Sequence, residues 1–308
     1  MKISVIIPTM NRSSDLRLAL DTLLGQTYKP FEVLVIDQSL DDKTRVLITE
    51  KKAVVQEKQI NLEYVFQEEK SSVKARNRGI EMALGDIVSF LDDDIELFED
   101  YFEKVVRYFK EDASLGALSG NTLIKNKLGG WKWSLRKILL NIFLLNDFKG
   151  NMTASGFGYP VYEREIDRVM SVEMLPGCNM NMRAGCIPDL RFDEWFTGYS
   201  YREDVELSYR VSLKAKVLMV PDAKLYHHYS LSNRMDVENL KKMEIRNYHH
   251  VFKKFKYRNI FSSILFFYSL FGNVLMDLIE FASTGQEKKL RKFRAGVSAA
   301  FSLMGQGS

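Results

Sequence analysis

Three consecutive aspartates, Asp92, Asp93 and Asp94, end an apolar run and are well suited to bind a cation. Side chains alternate along an extended chain, so Asp92 and Asp94 would point to one side of the strand tip and Asp93 to the other. Two carboxylates held so close repel each other, and a hard divalent cation such as Mg²⁺ or Mn²⁺ would neutralise them. An acidic turn that caps the next helix, over residues 98–109, is the alternative.

A second acidic pair, Glu203 and Asp204, begins a segment with helical spacing that runs toward residue 215. A carboxylate in such a place can take a proton from a reacting hydroxyl as a general base. Acids also occur in first turns simply because they stabilise the helix macrodipole, and that is the alternative.

A histidine pair, His227 and His228, follows the short apolar run at 217–220. Pro221 and Asp222 predict a turn between that run and a last short strand. An imidazole is an acceptable ligand for Mn²⁺. A histidine that is hydrogen-bonded at a sheet edge is the alternative.

The elements that must position these residues alternate along the first part of the chain. Apolar runs rich in Val and Ile predict strands, and apolar residues at helical spacing predict the helices between them. Ser13 and Ser14 are the expected N-caps of the first helix, which Gly25 would end. The strands are expected at 2–7, 31–36, 61–66 and 85–91, and the helices at about 14–24, up to 57, and 72–84.

This order is β-α-β-α-β-α-β, and its strands are too apolar to have a face in water. The pattern predicts a parallel sheet covered by helices on both faces. Ligands of such sheets bind beyond the carboxyl ends of the strands, so the residues after each strand should lie together. That edge would offer acceptors for a base and ribose, cations for phosphate and a metal site, through Pro8, Thr9, Arg12, Asp37 and residues 92–94.

Composition excludes several classes of function. The chain has 308 residues, 46% of them hydrophobic and 27% charged, which describes a globular protein with a sizeable core. A net charge of +4 without a basic, aromatic stripe argues against nucleic-acid binding. Two cysteines are too few for a disulfide framework, and no leader precedes the first strand, so the cytoplasm is the expected location. Dinucleotide and P-loop fingerprints are both missing.

Four motifs in order resemble those of family 2 glycosyltransferases, which are inverting enzymes of the GT-A fold. They are IIPTMNR at 6–12, VIDQS at 35–39, ARNRGI at 75–80 and FLDDD at 90–94. The second half adds PGCNM at 176–180, REDVELSYR at 202–210 and YHH at 226–228, so the resemblance covers roughly residues 2–255. One departure is Arg202, which stands where the family often has glycine.

The resemblance implies a Rossmann-like, mostly parallel sheet flanked by helices, with a helical C-terminal appendage. It divides the chain into a GT-A domain over 1–230 and an appendage over 231–308. The nucleotide half would be about 2–95 and the acceptor half about 115–230. It implies transfer of a sugar from a nucleotide sugar, in particular a UDP-sugar, to a glycan or lipid-linked saccharide.

The resemblance also gives expected roles to individual residues. Asp204 would be the general base, with Glu203 supporting the acceptor site or the metal. Asp94, Asp92 and His227 would form the site for Mn²⁺ or Mg²⁺, with Asp94 ligating the ion and Asp92 contacting the ribose or a metal-bound water. The expected nucleotide-binding residues are Pro8, Thr9, Arg12, Asp37, Arg76, Asp92 and Asp93.

Two apolar stretches predict contact with a membrane. Residues 131–145 mix tryptophans and cations with an aliphatic block, as interfacial helices do. Residues 260–276 carry no charge, but at ~1.5 Å per helical residue they reach only about 25 Å, short of the ~30 Å hydrocarbon core. A helical hairpin in the cytosolic leaflet is expected, with the cations of 253–258 and 288–294 near anionic headgroups. A homodimer interface or a soluble helical cap is the alternative.

Two other functions also fit parts of the sequence. A nucleotidyltransferase of similar sheet architecture would usually carry a Gly-rich, Arg-bearing loop after the first strand, and none is present here. A non-catalytic protein that binds a glycan or nucleotide sugar would have no need for its base. The intact set of Asp92, Asp94, Asp204 and His227 favours the enzyme.

Overall fold

The computed structural model describes residues 1–29, 32–58, 60–123, 131–162, 165–185, 191–230 and 235–305. Contacts between Cα atoms divide the chain into two compact units. Unit 1 is Met1–Lys127 with Val161–Asn233, and unit 2 is Leu128–Pro160 with Arg234–Ser308. The expected boundary near residue 230 therefore differs in one respect, since 128–160 belongs with the C-terminal helices.

Helices and strands alternate over most of the described chain. In chain order they are β1 (Ile3–Thr9), α1 (Ser13–Leu24), β2 (Glu32–Asp37), α2 (Lys43–Glu57), β3 (Asn61–Phe66), α3 (Ser72–Met82), β4 (Ile87–Leu91), β5 (Ile95–Leu97), α4 (Tyr101–Glu111), β6 (Leu115–Leu123), α5 (Trp131–Ile142), β7 (Met170–Ser171), β8 (Asn179–Arg183), α6 (Glu203–Ser212), β9 (Lys216–His227), α7 (Val237–Phe255), α8 (Ile260–Thr284) and α9 (Glu287–Gly305).

The first four strands form the parallel sheet that the sequence predicts. Their order is β3-β2-β1-β4, and β1 pairs in parallel with β2 and with β4. All six residues of β2 are buried, as expected for a strand covered on both faces. The expected N-caps are wrong, however. Helix α1 begins at Ser13 with Arg12 at the cap position, so neither serine hydroxyl caps the helix.

The rest of the sheet is mixed. Strand β8 pairs antiparallel with β4 and with β6, and β6 pairs in parallel with β9. The full path is β3-β2-β1-β4-β8-β6-β9-β5, with β7 alongside β9. The predicted turn at Pro221 and Asp222 is wrong, because β9 continues through both residues. The register of β6 and β9 shifts there, between Met219 and Lys224, and a shift accommodates a proline that lacks an N–H group.

Unit 2 is helical and has its own aromatic core. The ring of Phe157 stacks on Tyr248 at 4.1 Å between centroids, and Phe252 stacks on Phe266 at 4.6 Å. Both pairs lie in one buried cluster that also contains Leu140, Leu145 and Leu270. The described part of this segment, residues 131–160, belongs to this unit because apolar side chains such as Leu140, Leu145 and Phe157 pack with those of α7 and α8.

Candidate active site

The expected metal ligands converge at one edge of the sheet. Asp92, Asp94 and His227 each offer a ligand atom, and these atoms all lie within 4.8 Å of one another. The Nε2 atom of His227 is 2.8 Å from Asp94 Oδ1 and 3.9 Å from Asp92 Oδ2. The antiparallel pairing of β5 with β9 brings them together, since Ile95 lies opposite His227.

The third aspartate, Asp93, lies in the turn after β4 and is not one of the three clustered residues. Asp93 is 3% exposed, and its carboxylate accepts hydrogen bonds from Thr9 Oγ1 at 2.7 Å and from Arg12 at 3.2 Å. Burial raises the pKa of Asp93 to about 7, against the opposing effects of Arg12 and Thr9. Asp93 therefore holds Thr9 and Arg12 in place, and the nucleotide contact implied by the resemblance stays a prediction.

The other expected nucleotide residues lie at the carboxyl ends of β1 and β2. Thr9 is the register partner of Asp37, and Pro8 is that of Ile36. Asp37 is fully buried, and Ser39 N–H and Tyr64 O–H both donate to it, each at 3.0 Å. The position of Asp37 at the end of β2 agrees with the prediction, whereas the sequence analysis did not predict Tyr64 as its hydrogen-bond partner. Burial and the charge of Asp37 raise the pKa of Tyr64 to about 12.

Arg76 lies between the two acidic sites. It is 5% exposed, and it donates to Glu203 Oε1 at 2.5 Å and to Asp92 Oδ1 at 3.2 Å. The other cations of α3 lie elsewhere, since Lys74 pairs with Glu69 and Arg78 is exposed. Burial raises the pKa of Glu203 to about 8, although Arg76 opposes that shift.

Asp204 is held at the start of α6 by two backbone amides. Gly177 N–H donates to its Oδ2 at 2.9 Å and Val205 N–H to its Oδ1 at 2.8 Å. A Cβ atom at Gly177 would lie 3.2 Å from Asp204, so glycine permits this approach. Burial raises the pKa of Asp204, and the charge of Arg202 opposes that shift.

The departure at Arg202 has a conformational cost. Arg202 is the residue before α6 and has φ 82° and ψ 9°, in the left-handed region. Glycine adopts this conformation freely, whereas another L-residue loses roughly 1 kcal/mol. The backbone before α6 therefore has the left-handed conformation that favours glycine, although the residue there is a buried arginine.

Three residues around His227 were not predicted as site residues. Tyr162 O–H and the Cys178 thiol are hydrogen-bond neighbours of the imidazole, and the Tyr229 ring stacks on it at 4.3 Å. Cys178 is buried, as a packing residue should be, but it also contacts the site. Cys186 lies outside the described residues. Tyr162 precedes no motif, so the sequence carried no signal for it.

Comparison with known proteins identifies the family. A family model described as Glycosyl transferase family 2 matches residues 4–170. An uncharacterised glycosyltransferase of Rickettsia felis is 32% identical over 111 residues, which cover 36% of this chain and 18% of that protein. The amylovoran biosynthesis glycosyltransferase AmsB of Erwinia amylovora is 37% identical over 102 residues, or 33% of each chain. These matches span no more than a third of either relative.

Solved structures share the fold at low sequence identity. TarS 1-349 of S. aureus, in complex with UDP-GlcNAc, has a TM-score of 0.61 and 17% identity, covering 97% of this chain and 82% of that one. The mannosyltransferase PcManGT of Pyrobaculum calidifontis, in complex with GDP-Man and Mn²⁺, has a TM-score of 0.60 and 14% identity, covering 100% and 88%. These likenesses confirm the expected GT-A fold. With the family model matched over more than half of its length, the chain belongs to glycosyl transferase family 2.

Proposed function

We propose that this chain is an inverting, metal-dependent glycosyltransferase that uses Asp204 as its general base. One observation carries the proposal: the group formed by Asp92, Asp94 and His227 is joined to the Glu203–Asp204 pair through Arg76. A site for the leaving diphosphate and a site for the attacking hydroxyl would then lie side by side. Transfer requires both at once.

The chemistry of the ligand set fits a divalent cation. Two carboxylates and one imidazole suit Mn²⁺, and the carboxylates alone suit Mg²⁺. When bound, such an ion supplies positive charge that stabilises the diphosphate leaving group. Burial lowers the pKa of His227, but its neighbours Cys178 and Asp94 raise that pKa by more, so the free imidazole holds a proton. Ligation requires that proton to leave.

The residues of this chain would act on the acceptor as follows. Asp204 takes the proton from the acceptor hydroxyl while the hydroxyl oxygen attacks the anomeric carbon. The bond from that carbon to the diphosphate oxygen breaks on the opposite face, so the configuration inverts. The amides of Gly177 and Val205 hold the carboxylate in place. Its raised pKa makes Asp204 a stronger base than an exposed aspartate.

The donor and acceptor follow from the relatives and neighbours. A UDP-sugar is our proposed donor, because TarS was solved in complex with UDP-GlcNAc. A GDP-sugar is the alternative donor, because PcManGT was solved in complex with GDP-Man. A saccharide or lipid-linked saccharide in cell-surface polysaccharide synthesis is the proposed acceptor. AmsB and a poly-beta-1,6-N-acetyl-D-glucosamine synthase of Staphylococcus aureus support that class. A cytoplasmic location agrees with the free, buried thiol of Cys178.

A screen of nucleotide sugars tests the proposal, with Mn²⁺ or with EDTA present, on the wild type and on Asp204→Asn. We expect metal-dependent transfer or donor hydrolysis by the wild type. Asp204→Asn should bind the donor normally but turn over about 10² to 10⁴ times more slowly, since a general base contributes that much. Asp42→Asn is the matched control, because the Asp42 side chain is 82% exposed.

Three outcomes would contradict parts of this proposal. Equal rates for the wild type and Asp204→Asn would place the base elsewhere, with Glu203 the first alternative. Full activity in the presence of EDTA would show that transfer does not require a divalent cation. Donor binding by the wild type without turnover of any nucleotide sugar would favour the non-catalytic binding protein.

A further inference from the structure

Helix α8 carries the long apolar stretch of unit 2. Within the described ranges it is the one helix long and apolar enough to cross a bilayer on length and composition, and 44% of its most apolar window is buried. Its second half also contains Asp277 and Glu280. A helix that spans a membrane would place these two carboxylates in hydrocarbon, whereas a helix lying flat on the membrane would not.

Buried ion pairs hold the second half of α8 to its neighbours. Asp277 is 3% exposed, and its carboxylate lies 2.7 Å from Lys241 Nζ of α7 and 2.8 Å from Lys292 Nζ of α9. Lys241 also donates to Asn273 Oδ1 of α8 at 2.5 Å. Pulling α8 into hydrocarbon would break these pairs and leave charges uncompensated, which costs several kcal/mol per ion. These pairs therefore hold α8 to α7 and α9 and oppose insertion of α8 alone into hydrocarbon.

The first half of α8 has the opposite character. Five large apolar residues on it are exposed, and at about 100° per residue they fall within an arc of roughly 100°. The buried residues Phe266, Asn273 and Asp277 lie on the opposite side. The exposed residues are Ile260 (78%), Phe261 (64%), Ile264 (58%), Tyr268 (41%) and Phe271 (62%).

Helix α5 extends this surface. It exposes Leu135, Ile138 and Ile142, at helical spacing and each about half exposed. The end of α5 packs on α8: Tyr268 O–H donates to the Ile142 carbonyl at 3.1 Å, and the rings of Phe143 and Tyr268 lie 5.5 Å apart. We call the eight exposed residues on the two helices the α5/α8 face.

The charges on the surrounding sequence have one sign. No aspartate or glutamate occurs at 131–146 or at 245–276. Lys253, Lys254 and Arg258 are exposed just before α8. The α9 cations that the sequence placed near headgroups are largely engaged elsewhere, since Lys289, Arg291 and Lys292 pair with Glu280, Glu238 and Asp277. The basic character is therefore concentrated beside the α5/α8 face.

We propose that the α5/α8 face binds the surface of an anionic lipid bilayer, with α8 lying in the plane of the interface. Apolar side chains on one arc beside exposed cations are the features of an interfacial helix. The exposed stripe, residues 260–271, is about 18 Å long at ~1.5 Å per residue, too short to cross ~30 Å of hydrocarbon. A second protein copy would place like charges opposite one another across the contact. Lipid binding by the α5/α8 face would be independent of sugar transfer.

Co-sedimentation of the full chain with vesicles tests this surface. Vesicles of phosphatidylcholine alone are compared with vesicles that contain phosphatidylglycerol. We expect binding to the anionic vesicles, and a loss of at least about tenfold in affinity for Phe261→Glu/Phe271→Glu, because two large side chains leave the interface. The matched control is Leu40→Glu/Leu84→Glu, since these leucines of unit 1 are 81% and 71% exposed. The control should bind like the wild type.

A second pair of variants tests the charges. Lys253→Gln/Lys254→Gln/Arg258→Gln should weaken binding to anionic vesicles by about tenfold or more, and added salt should reduce the difference. The same change at the exposed lysines 70, 110 and 214 of unit 1 should have a smaller effect. A reporter variant, Phe261→Trp, should be quenched by brominated lipid, whereas Leu40→Trp should not. Far-UV circular dichroism confirms that each variant is folded.

The result that overturns the proposal is specific. Absence of binding to anionic vesicles would show that the α5/α8 face does not bind lipid. Equal affinity of Phe261→Glu/Phe271→Glu and its control would show the same. If light scattering instead shows a dimer that this variant converts to a monomer, while vesicles bind neither form, a second copy covers the face.

Discussion

Asp204 combines burial, a nearby cation and two backbone donors, and these set its behaviour with pH. Burial raises the pKa of this carboxyl above its usual 3.8, and the charge of Arg202 acts in the opposite direction. A base works in its ionised form, so transfer should fall as pH decreases through this raised pKa. The acid limb of the rate profile should therefore lie above the pKa of an ordinary aspartate.

Arg202→Asn provides the test at this position. Asparagine is neutral and tolerates the left-handed conformation, so the backbone should be kept while the cation is lost. We expect the acid limb of kcat to move to higher pH, because the Arg202 charge no longer favours the ionised carboxylate. Arg78→Asn, on the exposed face of α3, should leave the limb in place. A shift to lower pH would show that Asp204 does not control the limb.

The sequence predicted some residues of this site better than others. The sequence predicted that Asp92 and Asp94 lie together without Asp93, and they do. All three follow the end of β4, however, and Asp93 and Asp94 lie in a turn, so strand alternation is not the cause. The sequence could not predict that Asp93 holds Thr9 and Arg12, since that pairing depends on β1 lying beside β4. The neighbours of His227, Tyr162 and Cys178, come from segments that meet only in the folded chain.

Helix α3 is the element that links the nucleotide edge to the base. Its Arg76 contacts Asp92 and Glu203, and its position depends on how closely α3 approaches β1. A Cβ at Gly79 would lie 2.4 Å from the Cγ2 atom of Ile6, closer than any real contact. Glycine at this position therefore allows α3 to pack closely on β1.

Gly79→Ala should destabilise the protein by about 1–3 kcal/mol, because overpacking outweighs the helix propensity that alanine gains. Ile6→Ala removes the three contacting atoms, so the double variant should lose less than the sum of the single losses. Urea unfolding measures all three. Gly25→Ala is the control, with φ −84° and no contact under 3.5 Å, and should be near neutral. Strict additivity would mean that Gly79 and Ile6 do not press on each other.

Strand order was predictable only in part, again for a physical reason. The four parallel strands follow one another along the chain, so their apolar runs and intervening helices were enough to predict them. Strands β8, β6 and β9 pair across long sequence separations. The pairing of β9 with β5, which delivers His227 to Asp94, leaves no local pattern in either strand.

At the scale of the whole molecule, the C-terminal helices form one compact unit together with an earlier segment of the chain. Unit 2 is discontinuous, since described residues between 131 and 160 pack with α7 and α8. The uncharged, apolar stretch at 260–276 predicted a helix, and α8 forms there. Its inward face could not be predicted, because the partners of Asp277 lie on α7 and α9.

Deleting residues 258–308 should therefore disrupt unit 2 as a whole. The deletion removes Phe266 from its stack on Phe252 and strips Lys241, which is 1% exposed, of Asp277. A buried charge without its partner destabilises by about 3–5 kcal/mol, and the exposed aromatic core should promote aggregation. We expect the truncated chain to lose helix content and to leave the soluble fraction, whereas Phe261→Glu/Phe271→Glu stays soluble and folded. Circular dichroism and size-exclusion chromatography measure both. A truncated chain that remained monomeric, with α7 intact, would show that α8 and α9 are dispensable for folding, as an appendage over 231–308 would be.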